Sequence, residues 1–251
     1  MKFTRLDKLL ANSAIGSRSE VKILIKSGRV SWNGEIVRDP GTRIPDTDIN
    51  NIAINGQKIA VHKYLYFALH KPSGYITAME DKSDQTIMQF LPDYFSAKKI
   101  APVGRLDKDT SGLILLTNDG DLHYRLLSPK YEIPRVYYVE IEESHAPFTE
   151  YDVECVYHGV DIGSGVLAKS ADLEILSKHS CLLTLTEGKY HEVKRIMHGL
   201  AKELTNLHRI QYGSIRLDEL EIGDYRALTQ EEIYALYEST RLAPNVFHES
   251  L

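Results

Sequence analysis

Residues 102–120, PVGRLDKDTSGLILLTNDG, contain the densest motif of the chain. Its first half is polar and contains two carboxylates, Asp107 and Asp109, whereas residues 113–117 form an apolar run that ends in an Asn-Asp-Gly turn sequence. The pattern predicts a loop that leads directly into a buried strand. A carboxylate in such a loop is a candidate for acid–base or nucleophilic work, and Asp107 is the first candidate.

A calcium-binding loop is one alternative for this stretch. The first, third, fifth, sixth and eighth places of an EF-hand are occupied suitably, by Asp107, Asp109, Ser111, Gly112 and Ile114. The twelfth place is Asn118 rather than a bidentate Glu, and no pair of amphipathic helices flanks the segment. We therefore expect no calcium here, and an acidic surface loop without a function stays open as a second alternative.

The chain around this loop combines short apolar strands with helices. Strands are predicted at residues 64–69, 113–117, 137–141 and 181–186, and helices at 84–91 and 229–237. This order predicts a mixed α+β domain over residues 61–241, which we call the body. Residues 242–251 show no periodic pattern and are expected to form a C-terminal tail.

Residues 1–60 are predicted to form a separate small domain, which we call the head. Apolar residues recur at helical spacing near positions 6–10 and 21–25, which predicts two short helices, and Ser17 or Ser19 can cap the second. Asn33-Gly34 lies at the centre of an alternating segment and predicts a β-hairpin. A strand at residues 52–54 closes the head in this prediction.

Charge is distributed unevenly along the chain. The 251 residues have a formal net charge of −5, yet residues 1–43 contain nine Lys or Arg and only four Asp or Glu. Clustered cations of this kind bind phosphates and release counterions, which favours an RNA partner, although they can also serve only to keep small helices soluble. The cations assigned to the RNA-binding head are Arg5, Lys8, Arg18, Lys22, Lys26 and Arg29.

Composition excludes several classes of protein. Hydrophobic residues make up 43% of the chain, but no apolar run approaches the roughly 20 residues that a membrane-spanning helix needs. The N-terminal segment lacks the apolar centre and cleavage site of a signal peptide. Because Cys155 and Cys181 show no metal or disulfide pattern, we expect a cytoplasmic protein in a reducing compartment.

The head also resembles a known RNA-binding module. Residues 5–44, RLDKLLANSAIGSRSEVKILIKSGRVSWNGEIVRDPGTRI, carry a resemblance to the S4 domain, named after a ribosomal protein, that extends over residues 2–44. The resemblance implies that the helices and the hairpin bind structured ribosomal or transfer RNA. It implies nothing about chemistry.

The body resembles the RsuA-type pseudouridine synthases, whose signature is GRLD, two residues, T, a small or acidic residue, and GL. Residues 104–113 read GRLDKDTSGL, and four further blocks occur in the order of the family. These are FALHKPSGY at 67–75, RVYYV at 135–139, EGKYHEVKRIM at 187–197 and GDYRALT at 223–229. The resemblance covers about residues 2–235 and implies a mixed, largely antiparallel sheet with flanking helices.

The resemblance implies three catalytic residues. Asp107 is the catalytic aspartate, and Lys194 is the cation that pairs with it; a nearby cation lowers the pKa of a carboxyl group and keeps it ionised. Tyr137 matches the active-site tyrosine, whose ring can stack on the target base. The alternatives are an ordinary surface cation for Lys194 and a core aromatic for Tyr137.

Four more cations are assigned to substrate binding. Arg105 lies beside Asp107 in the sequence and can fill the space left by an extruded uridine, with a structural ion pair as the alternative. The other three are expected around the cleft, namely Lys71, Lys189 and Arg195.

Two positions depart from the family, since Glu192 and Arg135 stand where Gln and Lys are usual, and neither is given an inherited role. His191-Glu192 begins like a zinc-binding HExxH motif, but its fifth place is Arg195. We therefore expect no metal, and an isomerisation of uridine needs no redox cofactor.

Together these features predict a monomeric isomerase that converts a uridine of ribosomal RNA to pseudouridine. The residues in its sequence blocks resemble the small-subunit branch of the family more than the large-subunit branches, which implies small-subunit ribosomal RNA as the substrate. Three alternatives stay open. They are a large-subunit enzyme of the same family, a non-catalytic RNA-binding protein of ribosome assembly, and a hydrolase of the glycosidic bond, for which Asp109 is the nearest second carboxylate.

Overall fold

The computed structural model describes residues 3–13, 15–59, 61 and 64–243. Most of the predicted tail, residues 244–251, lies outside this range, as do residues 60, 62 and 63 at the predicted boundary between head and body. The architecture confirms the α+β class, with a small N-terminal domain followed by a mixed, largely antiparallel sheet and helices. No helix within the described ranges is long and apolar enough to span a membrane.

The head contains two helices and six short strands. The second helix begins as predicted at Ser17, whose Oγ accepts a hydrogen bond from the Glu20 backbone N at 3.3 Å while the Glu20 carboxylate accepts one from the Ser17 N at 2.8 Å. The elements of the head, in the residues that the structure describes, are β1 Phe3–Arg5, α1 Leu6–Asn12, α2 Arg18–Lys26, β2 Val30–Trp32, β3 Glu35–Val37, β4 Arg43–Pro45, β5 Ile52–Ile54 and β6 Gln57–Lys58, with a 3₁₀ helix at Asp46–Asn51.

The predicted hairpin and closing strand of the head are both present. Asn33 and Gly34 adopt positive φ values of 52° and 85° between β2 and β3, as a tight two-residue hairpin turn requires. Strand β5 pairs with β2 and completes a four-stranded sheet in the order β3-β2-β5-β6. The β1–β4 pair was not predicted, because three-residue strands are too short to show a period.

The body contains nine strands in one sheet. Its elements are β7 Tyr66–Lys71, α3 Tyr94–Ala97, β8 Ala101–Pro102, β9 Ser111–Thr117, α4 Gly120–Leu127, β10 Arg135–Ile141, α5 Glu150–His158, β11 Asp172–Ser177, β12 Ser180–Leu185, α6 Glu192–Gly199, β13 Leu204–Tyr212, β14 Ile215–Arg216, β15 Tyr225–Ala227 and α7 Gln230–Ser239, with 3₁₀ helices at Ile87–Phe90 and Pro129–Tyr131.

The main strand order is β11-β12-β10-β13-β9-β7-β15. Every pairing in it is antiparallel except the β13–β9 contact, where Ser111 faces His208 and Gly112 faces Arg209. Gly112 has a φ of +113°, and a Cβ there would lie 2.3 Å from the Arg209 carbonyl oxygen. Only glycine fits this seam, which joins the two halves of the sheet.

Apolar side chains pack against both halves of the sheet. One cluster contains residues of α5 and α6 against β10 and β12, and a second contains residues of α4 and α7 against β9 and the end of β13. A third, smaller cluster lies around Phe95 and Ile114. These clusters hold the seam and the loop that precedes β9 in fixed positions.

One predicted helix is wrong. Residues 84–91 form a helix only at Ile87–Phe90, because the Asp81 carboxylate accepts hydrogen bonds from the backbone N of Ser83 and of Asp84 and so fixes a turn. The Thr86 hydroxyl then caps the short 3₁₀ turn. The four predicted strands and the last helix are present, with ends that differ by a few residues from the prediction.

Candidate active site

Asp107 lies in a cavity of about 200 Å³ at the seam of the sheet. The loop between β8 and β9 places it there, as predicted, and its side chain is 30% exposed. The wall of this cavity also includes Arg105, Tyr137, Lys189, His191, Glu192, Lys194 and Arg209. The structure thus brings together residues from β10, β13, α6 and two loops.

A buried lysine braces the Asp107 loop from behind. The Lys71 ammonium donates hydrogen bonds to the carbonyl oxygens of Pro72, Lys108 and Thr110 at 3.0, 3.3 and 2.7 Å, and the residue has no exposed surface. Burial lowers the pKa of Lys71 to about 8. The Lys71 ammonium is enclosed and bonded to the protein backbone of the loop and of its own turn, and its assignment to substrate binding stays a prediction.

The expected contact between Lys194 and Asp107 is present, but a second carboxylate competes for the same ammonium. Lys194 Nζ lies 3.4 Å from Asp107 Oδ2 and only 2.6 and 2.7 Å from the two oxygens of Asp109. The hydrogen bond from Lys194 lowers the pKa of Asp109, and although burial acts against it, the two carboxylates raise the pKa of Lys194. Lys194 is thus a charged residue shared by both aspartates.

His191 approaches Asp107 from the other side. Its Nε2 is 3.4 Å from Asp107 Oδ1, and its backbone has the left-handed φ of 49° just before α6 begins. The ring stacks on that of Tyr190, with 3.8 Å between centroids, and Tyr190 is 77% exposed. Sequence reasoning missed this contact, because the motif around His191 suggests a zinc ligand and nothing about a distant carboxylate.

Tyr137 lines the cavity, whereas its neighbour Tyr138 donates a hydrogen bond to Glu140 away from it. This division follows the alternation of side chains along β10. The Arg209 guanidinium donates a hydrogen bond to the Tyr137 hydroxyl oxygen, with 3.5 Å between the two atoms. The Nε of Arg209 donates a second hydrogen bond to the Leu113 carbonyl oxygen at 2.7 Å. Arg209 therefore links the tyrosine to the start of β9.

Arg209 is a site residue that the sequence did not assign. It is 2% exposed, and within the described ranges its Nη2 is buried without a hydrogen-bond partner. A buried guanidinium with a free donor can serve an anionic or carbonyl group that enters the cavity. The block Leu207-His208-Arg209 is visible in the sequence, but burial of an arginine cannot be read from a strand pattern.

The remaining cations differ in position. Arg105 is exposed at the cavity and makes no ion pair with any described residue, which removes the structural ion pair as its role. Lys189 also lines the cavity, where its ammonium is 2.7 Å from Glu187 Oε1. Arg195 does not line the cavity: its Nε donates to the Ile162 carbonyl at 2.6 Å and ties α6 to a neighbouring loop, and its assignment to substrate binding stays a prediction.

The six cations of the head are all exposed. Two of them also have protein partners, since Arg5 pairs with Asp7 at 2.9 Å and Arg29 donates to Asn55 at 2.9 Å. The cations without such a contact in the described chain are Lys8, Arg18, Lys22 and Lys26.

One group of three side chains in the described ranges has donor atoms close enough for a metal ion, Glu142, His145 and Glu203. None of these residues lines the cavity. The site around Asp107 instead offers carboxylates, ammonium and guanidinium groups, an imidazole ring and tyrosine rings. Such a set suits covalent or proton-transfer chemistry on a nucleobase held in a cleft.

Comparison with known proteins shows the family to which this fold and this site belong. The family model for RNA pseudouridylate synthase matches residues 65–199, and the S4 domain model matches residues 4–50. The chain therefore belongs to the RNA pseudouridylate synthase family and carries an S4 domain ahead of it. The predicted family, fold and enzyme class are confirmed.

Similar proteins cover almost the whole chain. An uncharacterized RNA pseudouridine synthase, YtzG, of Bacillus subtilis is 39% identical over 93% of this chain and 98% of its own length. Proteins named ribosomal small subunit pseudouridine synthase A are 38% identical in Pasteurella multocida, over 91% of this chain and 97% of theirs, and 37% identical in Escherichia coli, over 91% and 98%. A solved pseudouridylate synthase is 37% identical, covers 92% of this chain and 99% of its own, and superposes with a TM-score of 0.64.

Proposed function

We propose that this protein converts a specific uridine of small-subunit ribosomal RNA to pseudouridine. Relatives 37–38% identical over almost their whole length carry a small-subunit name, and the exposed cations of the head suit a structured RNA backbone. Ribosomal RNA as the substrate, together with two free cysteines, supports a cytoplasmic protein. The proposal includes a monomer with domains at 1–60 and 61–241.

The observation that carries the proposal is the position of Asp107 between two basic groups at 3.4 Å. A carboxylate is the form that can attack or take a proton, and basic groups at this distance orient its oxygens. The reaction breaks the bond between N1 and the ribose, joins C5 to the same carbon, releases the C5 proton and adds a proton to N1, so substrate and product are isomers. Asp107 is assigned the role of the reacting carboxylate, and Lys194, 3.4 Å from its Oδ2, is assigned the role of orienting it.

Tyr137 and Arg105 are assigned to the uridine itself. The target base must leave its helix or loop to reach a cavity, and aromatic rings in such pockets stack on the extruded base. Tyr137 stands in the cavity wall with its hydroxyl fixed by Arg209. Arg105 is exposed beside Asp107 and can occupy the vacated space or bind a phosphate, and Lys189 adds positive charge at the same wall.

The test is release of tritium from C5-labelled uridine in small-subunit ribosomal RNA by the wild type and by Asp107→Asn. We expect release by the wild type and none above background by the variant, because an amide cannot act as nucleophile or base. Asp109→Asn is the matched control: it removes a carboxylate from the same loop and the same lysine, and we expect it to slow release without abolishing it. Equal loss in both variants would contradict the assignment of Asp107 alone.

The choice of RNA separates the alternatives. Release of tritium from large-subunit but not from small-subunit ribosomal RNA would assign the protein to the large-subunit branch of the family. No release from any ribosomal RNA, naked or protein-bound, together with tight and salt-sensitive binding, would favour a non-catalytic role in ribosome assembly. Appearance of free uracil would indicate hydrolysis of the glycosidic bond.

A further inference from the structure

Glu192 is a buried carboxyl group in the cavity wall to which the proposed reaction gives no role. It is 5% exposed and is the first residue of α6. Its Oε2 accepts a hydrogen bond from the Lys189 backbone N at 3.0 Å, but its Oε1 is buried and meets no donor anywhere in the described chain. A buried, ionised oxygen without a donor is costly, so this oxygen is better satisfied when it carries a proton.

The acceptor available for that proton is the carboxyl group of Glu187, which begins the same loop and lines the same cavity. Two adjacent carboxylates repel each other, whereas one shared proton gives a strong hydrogen bond between them. Glu187 already accepts hydrogen bonds from the Lys169 backbone N at 2.6 Å and from the Lys189 ammonium at 2.7 Å. These donors stabilise its charge, so Glu187 is the acceptor and Glu192 the donor.

We propose that Glu192 is a positioning residue whose neutral carboxyl group donates a hydrogen bond to Glu187 and closes loop 187–192 against the cavity. This loop carries His191 and leads into Lys194, and each of these two side chains lies 3.4 Å from an oxygen of Asp107. The closed loop therefore sets the geometry of both basic groups around the reacting carboxylate. The inference rests on the proposed role of Asp107 for its effect on activity, but not for the hydrogen bond itself.

The electrostatics support this geometry. Burial, followed by the hydrogen bond to Glu187, raises the pKa of Glu192 to about 7 from an ordinary 4.5. Burial acts in the same direction on Glu187, but its hydrogen bonds outweigh burial and lower its pKa. Because the raised pKa belongs to the folded state, the stabilisation is complete below about pH 4.5 and is lost as the pH rises through about 7. The other charged or titratable groups that share this wall are Arg105, Asp107, Arg135, Tyr137, Lys189, His191, Lys194, Arg209 and Tyr212.

The hydrogen bond can be tested without any activity. A ¹³C NMR titration of the Glu carboxyl carbons in the whole protein, with Glu192 assigned by its loss in Glu192→Gln, is expected to show a group that titrates near pH 7. Glu187→Gln replaces the acceptor with an amide that can donate, and it should move the titration of Glu192 to lower pH. Titration of Glu192 at an ordinary carboxyl pH in the wild type would overturn the proposal, whether or not the protein is active.

The positioning role is tested by the pH dependence of tritium release. We expect the wild-type rate, relative to that of Glu192→Gln, to fall at least threefold between pH 6.5 and 8, because the glutamine amide keeps its N–H donor at every pH. Glu192→Ala has no donor and should be slow at both pH values. If the ratio of the wild-type rate of tritium release to the Glu192→Gln rate is constant with pH, the positioning role of Glu192 is overturned. The group that titrates would then lie elsewhere in the cavity wall. Titration near pH 7 in a protein that releases no tritium would support the hydrogen bond and contradict the proposed function.

Discussion

Lys71 has no contact with solvent, yet its ammonium satisfies three carbonyl oxygens around the Asp107 loop. A second clamp acts on the same loop, since the Thr77 hydroxyl donates to the Leu106 carbonyl at 3.0 Å. These interactions give a loop without regular secondary structure the rigidity that a reacting carboxylate needs. Orientation of the reacting group is a large part of the rate that an enzyme provides.

Lys71→Met is expected to destabilise the protein by about 2–4 kcal/mol, because it leaves buried carbonyl oxygens without a donor. The measurement is the free energy of unfolding in urea. Lys108→Met is the matched control from the braced loop, since its ammonium is exposed and pairs with Asp84 at 2.6 Å. A surface pair of this kind contributes about 0–1 kcal/mol, and equal destabilisation of the two variants would contradict a bracing role for Lys71.

The sequence predicted the residues of the site better than their partners. Asp107 and Lys194 come from contiguous motifs, and Tyr137 was chosen over the adjacent Tyr138 only by the family resemblance. The contacts of Lys71 and Arg195 were not predicted, because a cation's partners in the folded chain include backbone carbonyls that only the fold brings close. Arg209 was missed for a related reason, since only the packed seam shows that its guanidinium is enclosed.

Helix α2 shows how a short helix is fixed by its first turn. Only nine residues long, it is too short to be stable alone, and it depends on the capping box between Ser17 and Glu20 and on the packing of Val21 and Ile25. It also carries three of the exposed head cations, Arg18, Lys22 and Lys26. The cap therefore orders a segment of the proposed RNA surface.

Ser17→Ala is expected to cost about 1 kcal/mol of stability and to raise amide hydrogen exchange in α2, because the N-terminal N–H groups of the helix lose their acceptor. Ser19→Ala is the matched control, at an exposed position inside the first turn of the same helix. Faster exchange confined to residues 18–26 would support the prediction. Similar exchange in both variants would contradict it.

At the level of elements, predictions succeeded where the apolar period is visible and failed where it is interrupted. Strand β9 is a run of Leu and Ile and was found, whereas β13, the longest strand, reads LTNLHRIQY and was not. Its inward positions include Arg209, so alternation of apolar and polar residues is broken. The helix at 84–91 was overpredicted because the turn set by Asp81 was not considered.

The whole molecule has its charge arranged by domain. The net charge is −5, but the exposed cations of the head lie on a segment with a positive surplus. An acidic body attached to a basic head disfavours unspecific coating of the protein by RNA and directs a polyanion to the head. Binding that depends on several phosphate contacts weakens steeply as salt concentration rises.

Replacement of Arg18, Lys22 and Lys26 by Gln is expected to weaken RNA binding and to reduce the slope of log K against log salt by about 0.7–0.9 for each phosphate that the protein no longer neutralises. Filter binding at several salt concentrations measures both. The control removes the same charge from the body, by replacement of the exposed Lys82, Lys130 and Lys178 with Gln. Equal slopes for the two triple variants would show that net charge, and not the head surface, governs binding.

The pairing of β9 with β13 also affects the order in which the parts of the protein fold. The two strands are neighbours in the sheet, but the chain between them contains everything from α4 to α6, so their pairing closes a long loop. Pairings between distant segments are slow to form, and a chain emerges from the ribosome with its N-terminus first. The head can therefore fold early during synthesis, whereas the cavity around Asp107 is complete only after residue 209 has been made and has met Gly112. We expect the capacity to hold RNA to precede the capacity to modify it in every newly made copy of the protein.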